Sequence, residues 1–240
     1  MMVAIGKFLF RHRNFLFPVV FVLMLFEETF PVIRDERPER WMLFLGLAMA
    51  LTGQILRALT VGLAYIKRGG KDKQVYADKL VTDGIFAHCR NPLYLGNLMI
   101  VTGVGISSNS LPFLLFGVPF FVFAYMAIIK AEEEYLRARF GAEFNDYCQR
   151  VNRLIPNFQG FLARLQTMEF HWKRLVVKEY QTPFLWMSGF LFLVLKDEYL
   201  DWGYEASKNR IWCLCGLFGI LTLLFLLAWW LKKTKVLRAD

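Results

Sequence analysis

Apolar residues run along this chain in long blocks, and charged residues gather between the blocks. A helix needs about 20 mostly apolar residues to cross a bilayer. The stretch 211–231, IWCLCGLFGILTLLFLLAWWL, carries no charge, and neither does 111–129, LPFLLFGVPFFVFAYMAII. A third block covers 41–66 and is interrupted only by Arg57. The block 93–108 is shorter and holds Gly96, Gly103 and Gly105, and 182–195 is also short. The first block, 15–33, is broken by Glu27 and Glu28 near its far end. This pattern predicts an all-α, polytopic membrane bundle of about six transmembrane helices.

Composition agrees with that pattern. The chain has 240 residues, 56% of them hydrophobic, and 24 are Phe. Its mean hydropathy is +0.37. A soluble fold of this size does not readily bury so much aromatic surface. The net charge of +9 would suit a nucleic-acid binder if it lay on one globular face. It lies between the spans instead, which excludes that reading. Placing the N-terminus inside puts 22 of the 29 Lys and Arg on 1–14, 67–92, 130–181 and 232–240, with 6 on 34–40 and 196–210. The bias predicts that both termini, and any chemistry in the two long polar segments, are cytoplasmic. Charge follows the first span with no small-residue cleavage pattern, so no cleaved signal peptide is expected. Cys89, Cys148, Cys213 and Cys215 form no CxxC pair, and neither a disulfide nor a metal site is expected.

The blocks divide the chain into 1–52, N-terminal transmembrane helices; 53–156, a candidate catalytic core; 157–181, a cytoplasmic amphipathic segment; and 182–240, a transmembrane hairpin. Within 158–176, Phe158, Phe161, Leu162, Leu165, Met168, Trp172, Leu175 and Val176 fall near one helical face. That spacing fits a helix on the membrane surface and equally a helix packed on the protein's own loops.

Three polar features stand against the apolar background. Arg57 lies inside a span, where a charge needs a polar cavity or a structural ion-pair partner. GIFAHCRNPLYLGN, 84–97, follows the basic run KRGGKDK, 67–73, and the turn signal Asp83-Gly84. Pro92 holds Asn91 extended and suits the first turn of a helix. The free N–H groups of that turn attract anions, so the stretch reads as a plain helix start or as the edge of a carboxylate or phosphate site. Third, Glu132, Glu133 and Glu134 cannot all face one way on a helix, and they read either as a solvated face or as inward carboxylates. Beyond them, Tyr135, Leu136, Phe140, Phe144, Tyr147 and Val151 recur at helical spacing, broken by Gly141, with Pro156 marking the end. Arg150 and Arg153 sit late in that pattern, where basic residues also suit a helix C-terminus. Gly103-Val104-Gly105 lacks a strand-turn-helix setting and reads as close helix packing.

Four segments, GQILR at 53–57, LVTDGIFAHCRNPLYLGN at 80–97, GVG at 103–105 and AEEEYLRARFGAEFNDYCQRVNRLIP at 131–156, resemble the isoprenylcysteine carboxyl methyltransferase and phospholipid methyltransferase superfamily. The order and spacing are those of the family, and the likeness covers about 53–156. The resemblance implies an integral membrane helical methyltransferase without a Rossmann domain, using S-adenosylmethionine on a lipophilic acceptor. It implies catalytic roles for Arg57, Arg90 and Glu133. It implies cofactor contacts from His88, Asn91, Pro92, Tyr94, Leu95, Gly96, Gly103, Gly105, Glu132, Glu133, Phe144, Tyr147, Arg150 and Arg153. Asn91 stands where the family usually has His, which removes an imidazole from that place. Asn152 stands where the usual ending has Pro. The lipid bilayer and a lipophilic or lipidated substrate are the implied partners. Two other readings fit parts of the pattern: an NADPH-dependent membrane sterol or steroid reductase, and a non-catalytic scaffold of the same fold.

Overall fold

Each long apolar block forms a helix in the computed structural model, which describes residues 1–25, 32, 36–63, 77–161 and 168–237. No strand occurs among the described residues. Among the described residues, six helices follow in order: α1 (Met2–Leu25), α2 (Glu36–Leu63), α3 (Pro92–Ser107), α4 (Val118–Arg150), α5 (Trp172–Glu179) and α6 (Gln181–Lys233). A 3₁₀ turn, Gly84–Ala87, precedes α3, and a π turn, Phe113–Gly117, leads into α4. By length and composition, the helices over Met2–Leu25, Trp41–Leu63, Phe113–Arg150 and Gln181–Lys233 are able to cross a membrane, and α3 is a shorter apolar helix. The protein is a polytopic helical bundle of the membrane.

Several boundaries differ from the sequence reading. α1 begins at Met2 rather than near Phe15, because no Gly or Pro breaks residues 7–17 and the basic Lys7 and Arg11 lie on its exposed side. In its buried stripe, Phe21 and Leu25 pack on Gly189 of α6, and Phe17 packs on α4. There Phe17 meets Phe121 and Tyr125 edge-on, with ring centroids 5.4 and 5.1 Å apart. Glu27, Glu28 and the run 67–73 lie outside the described residues. Within the segment 158–176, Phe161 is helical, residues 168–171 run as irregular chain, and α5 begins at Trp172. There the His171 N–H donates to Gly62 O at 2.9 Å, so this segment is docked on the end of α2. Residues 162–167 lie outside the described part.

Two glycines bend long helices. Gly141 takes φ 52° inside α4, and Gly203 takes φ 69° inside α6, a region where other residues are strained. At Gly203 the chain doubles back, so that α6 forms two arms. Arg210 on the second arm reaches Glu198 on the first at 2.9 Å, and Phe225 stacks on Phe184 with centroids 4.3 Å apart.

The tightest packing joins α2 to α3, which run antiparallel along a seam of small residues. Gly46 faces Gly103, and Gly53 faces Gly96. A Cβ built on Gly103 would lie 2.5 Å from Gly46 O and 2.6 Å from Ala50 N, both backbone atoms that cannot swing aside. Small residues let helix backbones approach where lipid offers no hydrophobic drive. At Gly96 the space left by the missing side chain is taken by the stem of Arg57, which a Cβ would meet at 2.5 Å. The seam therefore sets where Arg57 lies.

Gly103→Val is expected to cost about 1–3 kcal/mol through overpacking. Gly216→Val, where a Cβ would meet nothing within 4 Å, is the control. Unfolding of the two variants in detergent, compared with the parent protein, measures the difference.

Candidate functional site

The stretch 88–91 is fastened to the chain that leaves α4. Arg90 N–H donates to Asn152 O at 2.9 Å, and Asn157 N–H donates to His88 O at 2.9 Å. The Asn91 side-chain amide donates to Arg153 O at 3.0 Å. His88 Nδ1 lies 2.6 Å from Asn157 O, and its ring packs edge-on against Phe161. Tyr147 Oη donates to Phe86 O at 2.7 Å. The two motif segments that lie some 60 residues apart in sequence thus form one unit.

At the centre of that unit is Glu133. Its carboxylate accepts from Arg153 Nε at 3.0 Å and from Arg153 Nη2 at 2.7 Å. Arg90 Nη1 lies 3.0 Å from its Oε1. Charge-assisted and bidentate bonds of this kind are stronger than neutral ones. The hydrogen bond to Glu133, ahead of burial and charge, holds the Arg153 guanidinium above its ordinary pKa, so it stays protonated. Glu132 also turns inward and Glu134 outward, which settles the register of the acidic run. Glu132 Oε1 accepts from Tyr94 Oη at 2.6 Å, and Arg13 Nη1 donates to the same Tyr94 Oη at 3.0 Å.

These groups face a cavity of about 930 Å³, within the range of sites for small molecules. From α1 its walls include Phe10, Arg13 and Phe17, and from the chain before α3 they include residues 77–81, Phe86, Arg90 and Asn91. α3 adds Pro92, Tyr94 and Asn97. α4 contributes on both sides of its bend, with Tyr125, Glu132 and Glu133 before Gly141 and Phe144 and Tyr147 after it. Phe144 and Tyr147 are nearly fully buried. Phe184, Leu185 and Phe225 of α6 close another side. Arg90 Nε is buried without a hydrogen-bond partner, which leaves one cationic donor of the wall unused.

Arg57 also lines the cavity, and the structure shows what it binds. Its Nε donates to Glu179 Oε1 at 2.6 Å and its Nη2 to Glu179 Oε2 at 3.0 Å. Nη2 also donates to Thr182 Oγ1 at 3.1 Å, and Nη1 donates to Leu93 O at 3.3 Å and to the Asn97 side chain. An Arg has five N–H donors, and these five bonds use them all. Arg57 thus has both features its position called for, a polar cavity and an ion pair, and its donors are committed to the protein. Gln54 extends the network: its Nε2 donates to Glu179 Oε1 at 3.4 Å, and its Oε1 accepts from Trp186 Nε1 at 3.0 Å. Arg57 and Glu179 are 2% and 3% exposed, so neither charge is compensated by water.

Of the sequence-predicted residues, Arg57, Arg90, Asn91, Pro92, Tyr94, Glu132, Glu133, Phe144 and Tyr147 come together around the cavity. Arg153 stands behind Glu133 and holds it. His88 is part of the fastening to 157, and Leu95 and Gly96 lie within α3, where Gly96 packs on Arg57 and Gly53. Gly103 packs on α2, and Gly105 packs on Phe113. Arg150 is exposed, with its Nε 3.4 Å from Asp146 O. Sequence reasoning missed Glu179, Thr182, Asn97, Tyr125 and Arg13. Asn97 carried a signal, as an amide inside the apolar run of α3. Glu179 carried none, because its partner lies 122 residues away.

Two outcomes test this geometry. Arg57→Met alone is expected to destabilise the fold by about 3–5 kcal/mol, because it removes the guanidinium that neutralises the buried Glu179 carboxylate. Adding Glu179→Leu is expected to recover much of that loss, a non-additivity that a double-mutant cycle in detergent measures. Burial pushes the Cys89 thiol up from 9.0 to about 11. A thiolate is the reactive form, so at pH 8 Cys89 is expected to alkylate about a hundredfold more slowly than an ordinary thiol. Mass spectrometry of the protein after timed exposure to iodoacetamide reads this, with the partly exposed Cys148 modified before Cys89.

The phospholipid methyltransferase family model matches residues 41–143. The cobalt-zinc-cadmium resistance protein CzcN of Cupriavidus metallidurans is 29% identical over 214 residues, 86% of this chain and 90% of that protein. A probable protein-S-isoprenylcysteine O-methyltransferase of Oryza sativa subsp. japonica is 31% identical over 137 residues, 55% of this chain and 71% of its own length. Protein-S-isoprenylcysteine O-methyltransferase B of Arabidopsis thaliana is 32% identical over 120 residues, 48% of this chain and 60% of its own length. No solved structure matches the chain. The four segments, the helical membrane architecture and these similarities together make the chain a member of the isoprenylcysteine carboxyl and phospholipid methyltransferase superfamily of integral membrane proteins.

Proposed function

We propose that the protein transfers a methyl group from S-adenosylmethionine to a lipophilic acceptor at the cytoplasmic edge of the membrane. The observation that carries this reading is the make-up of the cavity beside the fastened motifs. It combines carboxylates at Glu132 and Glu133, the unpartnered Nε of Arg90, the aromatic pair Phe144 and Tyr147, and an apolar side built from α1 and α6.

That wall suits the cofactor's groups. Glu132 would take its ammonium or hydroxyl groups. Arg90, held in place by Glu133, would donate its spare Nε–H to the cofactor carboxylate. Phe144 and Tyr147 offer flat apolar surface to an adenine ring and π faces to a cation. The cofactor, when bound, supplies an electrophilic methyl group on sulfur. The protein's part is to align the acceptor with that methyl and to keep water out, which is the main requirement of an in-line displacement.

An acceptor carboxylate is ionised at neutral pH and needs no base. An acceptor amine must first lose a proton. Arg57 cannot orient a carboxylate without giving up a bond to Glu179, Thr182 or Asn97, so orientation falls to Arg13. The lysine and arginine distribution along the chain supports a cytoplasmic site.

The test is incubation of the purified protein with methyl-labelled S-adenosylmethionine and either total membrane lipid or prenylated peptides. A labelled lipophilic product is expected, and Glu132→Ala is expected to lower its yield by about a hundredfold or more. The absence of labelled product from both acceptor pools overturns the reading. With the product in hand, a rate that is flat above about pH 6 identifies a carboxylate acceptor, and a rate that rises with pH identifies an amine.

A further inference from the structure

The second arm of α6 lies outside the family-matched residues 41–143. Beyond Gly203, its buried residues are Ser207 and Ala228. Most of its large apolar side chains are exposed, among them Trp212, Leu223 and Leu224. Phe225 is different, because it lines the cavity. Its ring stacks on Phe184 at 4.3 Å and lies 5.3 Å from the ring of Tyr180. One helical turn pair earlier, Phe218 approaches Phe184 at 6.4 Å, and Lys232 Nζ sits 5.1 Å from the Tyr180 ring.

The two arms are held very differently. The first arm is pinned by the buried network, since Thr182 accepts from Arg57 and Trp186 donates to Gln54. Phe184 and Leu185 therefore present a fixed surface. The second arm meets the cavity wall through ring contacts, with Lys232 over Tyr180 beside them and the Arg210–Glu198 ion pair near a hinge residue whose φ is 69°. Aromatic contacts of this kind are worth only about 0.5–1.5 kcal/mol beyond the area they bury.

We propose that Phe225, set against Phe184, is the adjustable bilayer-side wall of the acceptor subsite and determines which hydrocarbon chain the protein accepts. The occupant is the apolar chain of a lipid-type acceptor, lying between the fixed first arm and the second arm. The chemistry is shared by prenyl and acyl chains, and the experiment separates them. The inference rests on the proposed methyl-transfer reading for the head group, but not for the chain.

Purified protein in nanodiscs is exposed to diazirine-bearing geranyl, farnesyl and geranylgeranyl cysteine, and in parallel to diazirine-bearing decanoyl and palmitoyl lipids. Crosslinked peptides are mapped by mass spectrometry, and S-adenosylmethionine affinity is measured on the same samples. Labels on 184–185 and 218–225 are expected, from one of the two probe series. Phe225→Ala is expected to shift labelling towards the longer chains of that series, and Phe225→Trp towards the shorter ones, each by about tenfold. Phe225→Leu, which keeps an apolar wall and guards against misfolding, is expected to give a smaller shift in the same direction as Phe225→Ala. Leu223→Ala, on the exposed side of the same arm, is expected to leave the pattern unchanged. Labels confined to other helices, or chain preferences that ignore residue 225, overturn the proposal. Chain labelling at 218–225 without cofactor binding would instead overturn the methyl-transfer reading and leave this inference standing.

Discussion

The Glu133 carboxylate is the point on which the rest of the site depends. It lies between Arg90 and Arg153, and both of its oxygens are taken. One arginine comes from the turn before α3 and the other from the chain after α4. Without the carboxylate, the half-buried Arg90 guanidinium and the more exposed Arg153 guanidinium would face each other, and like charges repel. With it, the backbone bonds between 88–91 and 152–157 can form. Arg90 is then presented to the cavity with a donor to spare.

A second charge pair does comparable work deeper in the bundle. Arg57 and Glu179 tie α2 to the chain entering α6, and Asn97 and Thr182 complete the set. Buried ion pairs of this kind are often no better for stability than well-packed apolar residues. Here the pair fixes the first arm of α6 against the cavity, which an apolar contact would do less specifically. The glycine seam makes it possible, because Gly96 gives the Arg57 stem its room.

Much of this could be read from the chain. The apolar blocks predicted the helices, Pro92 predicted the start of α3, and Gly141 predicted a break in the helical pattern of α4. The acidic run demanded that its members diverge, and they do, with Glu132 and Glu133 inward and Glu134 outward. What could not be read was pairing over distance. Nothing near Glu179 marks it as the partner of an arginine 122 residues earlier. The apolar block 15–33 marks only part of α1, because a helix can also carry the basic residues before it on one side and send Arg13 to the cavity. Gly103 and Gly105 suggested ligand contact by their place in a motif, and they lie against α2 and Phe113. A missing side chain serves close packing as well as ligand approach, and spacing alone does not separate the two.

The central claim is that the carboxylate between two arginines makes the cofactor site by holding Arg90 in place. Calorimetric titration of S-adenosylmethionine into the protein in nanodiscs, for the parent chain and for Glu133→Gln, tests it most directly. The account predicts binding to the parent and at least about tenfold weaker binding to the variant, a loss of roughly 1.4 kcal/mol or more. Equal affinity in both, or no binding to the parent, would contradict it.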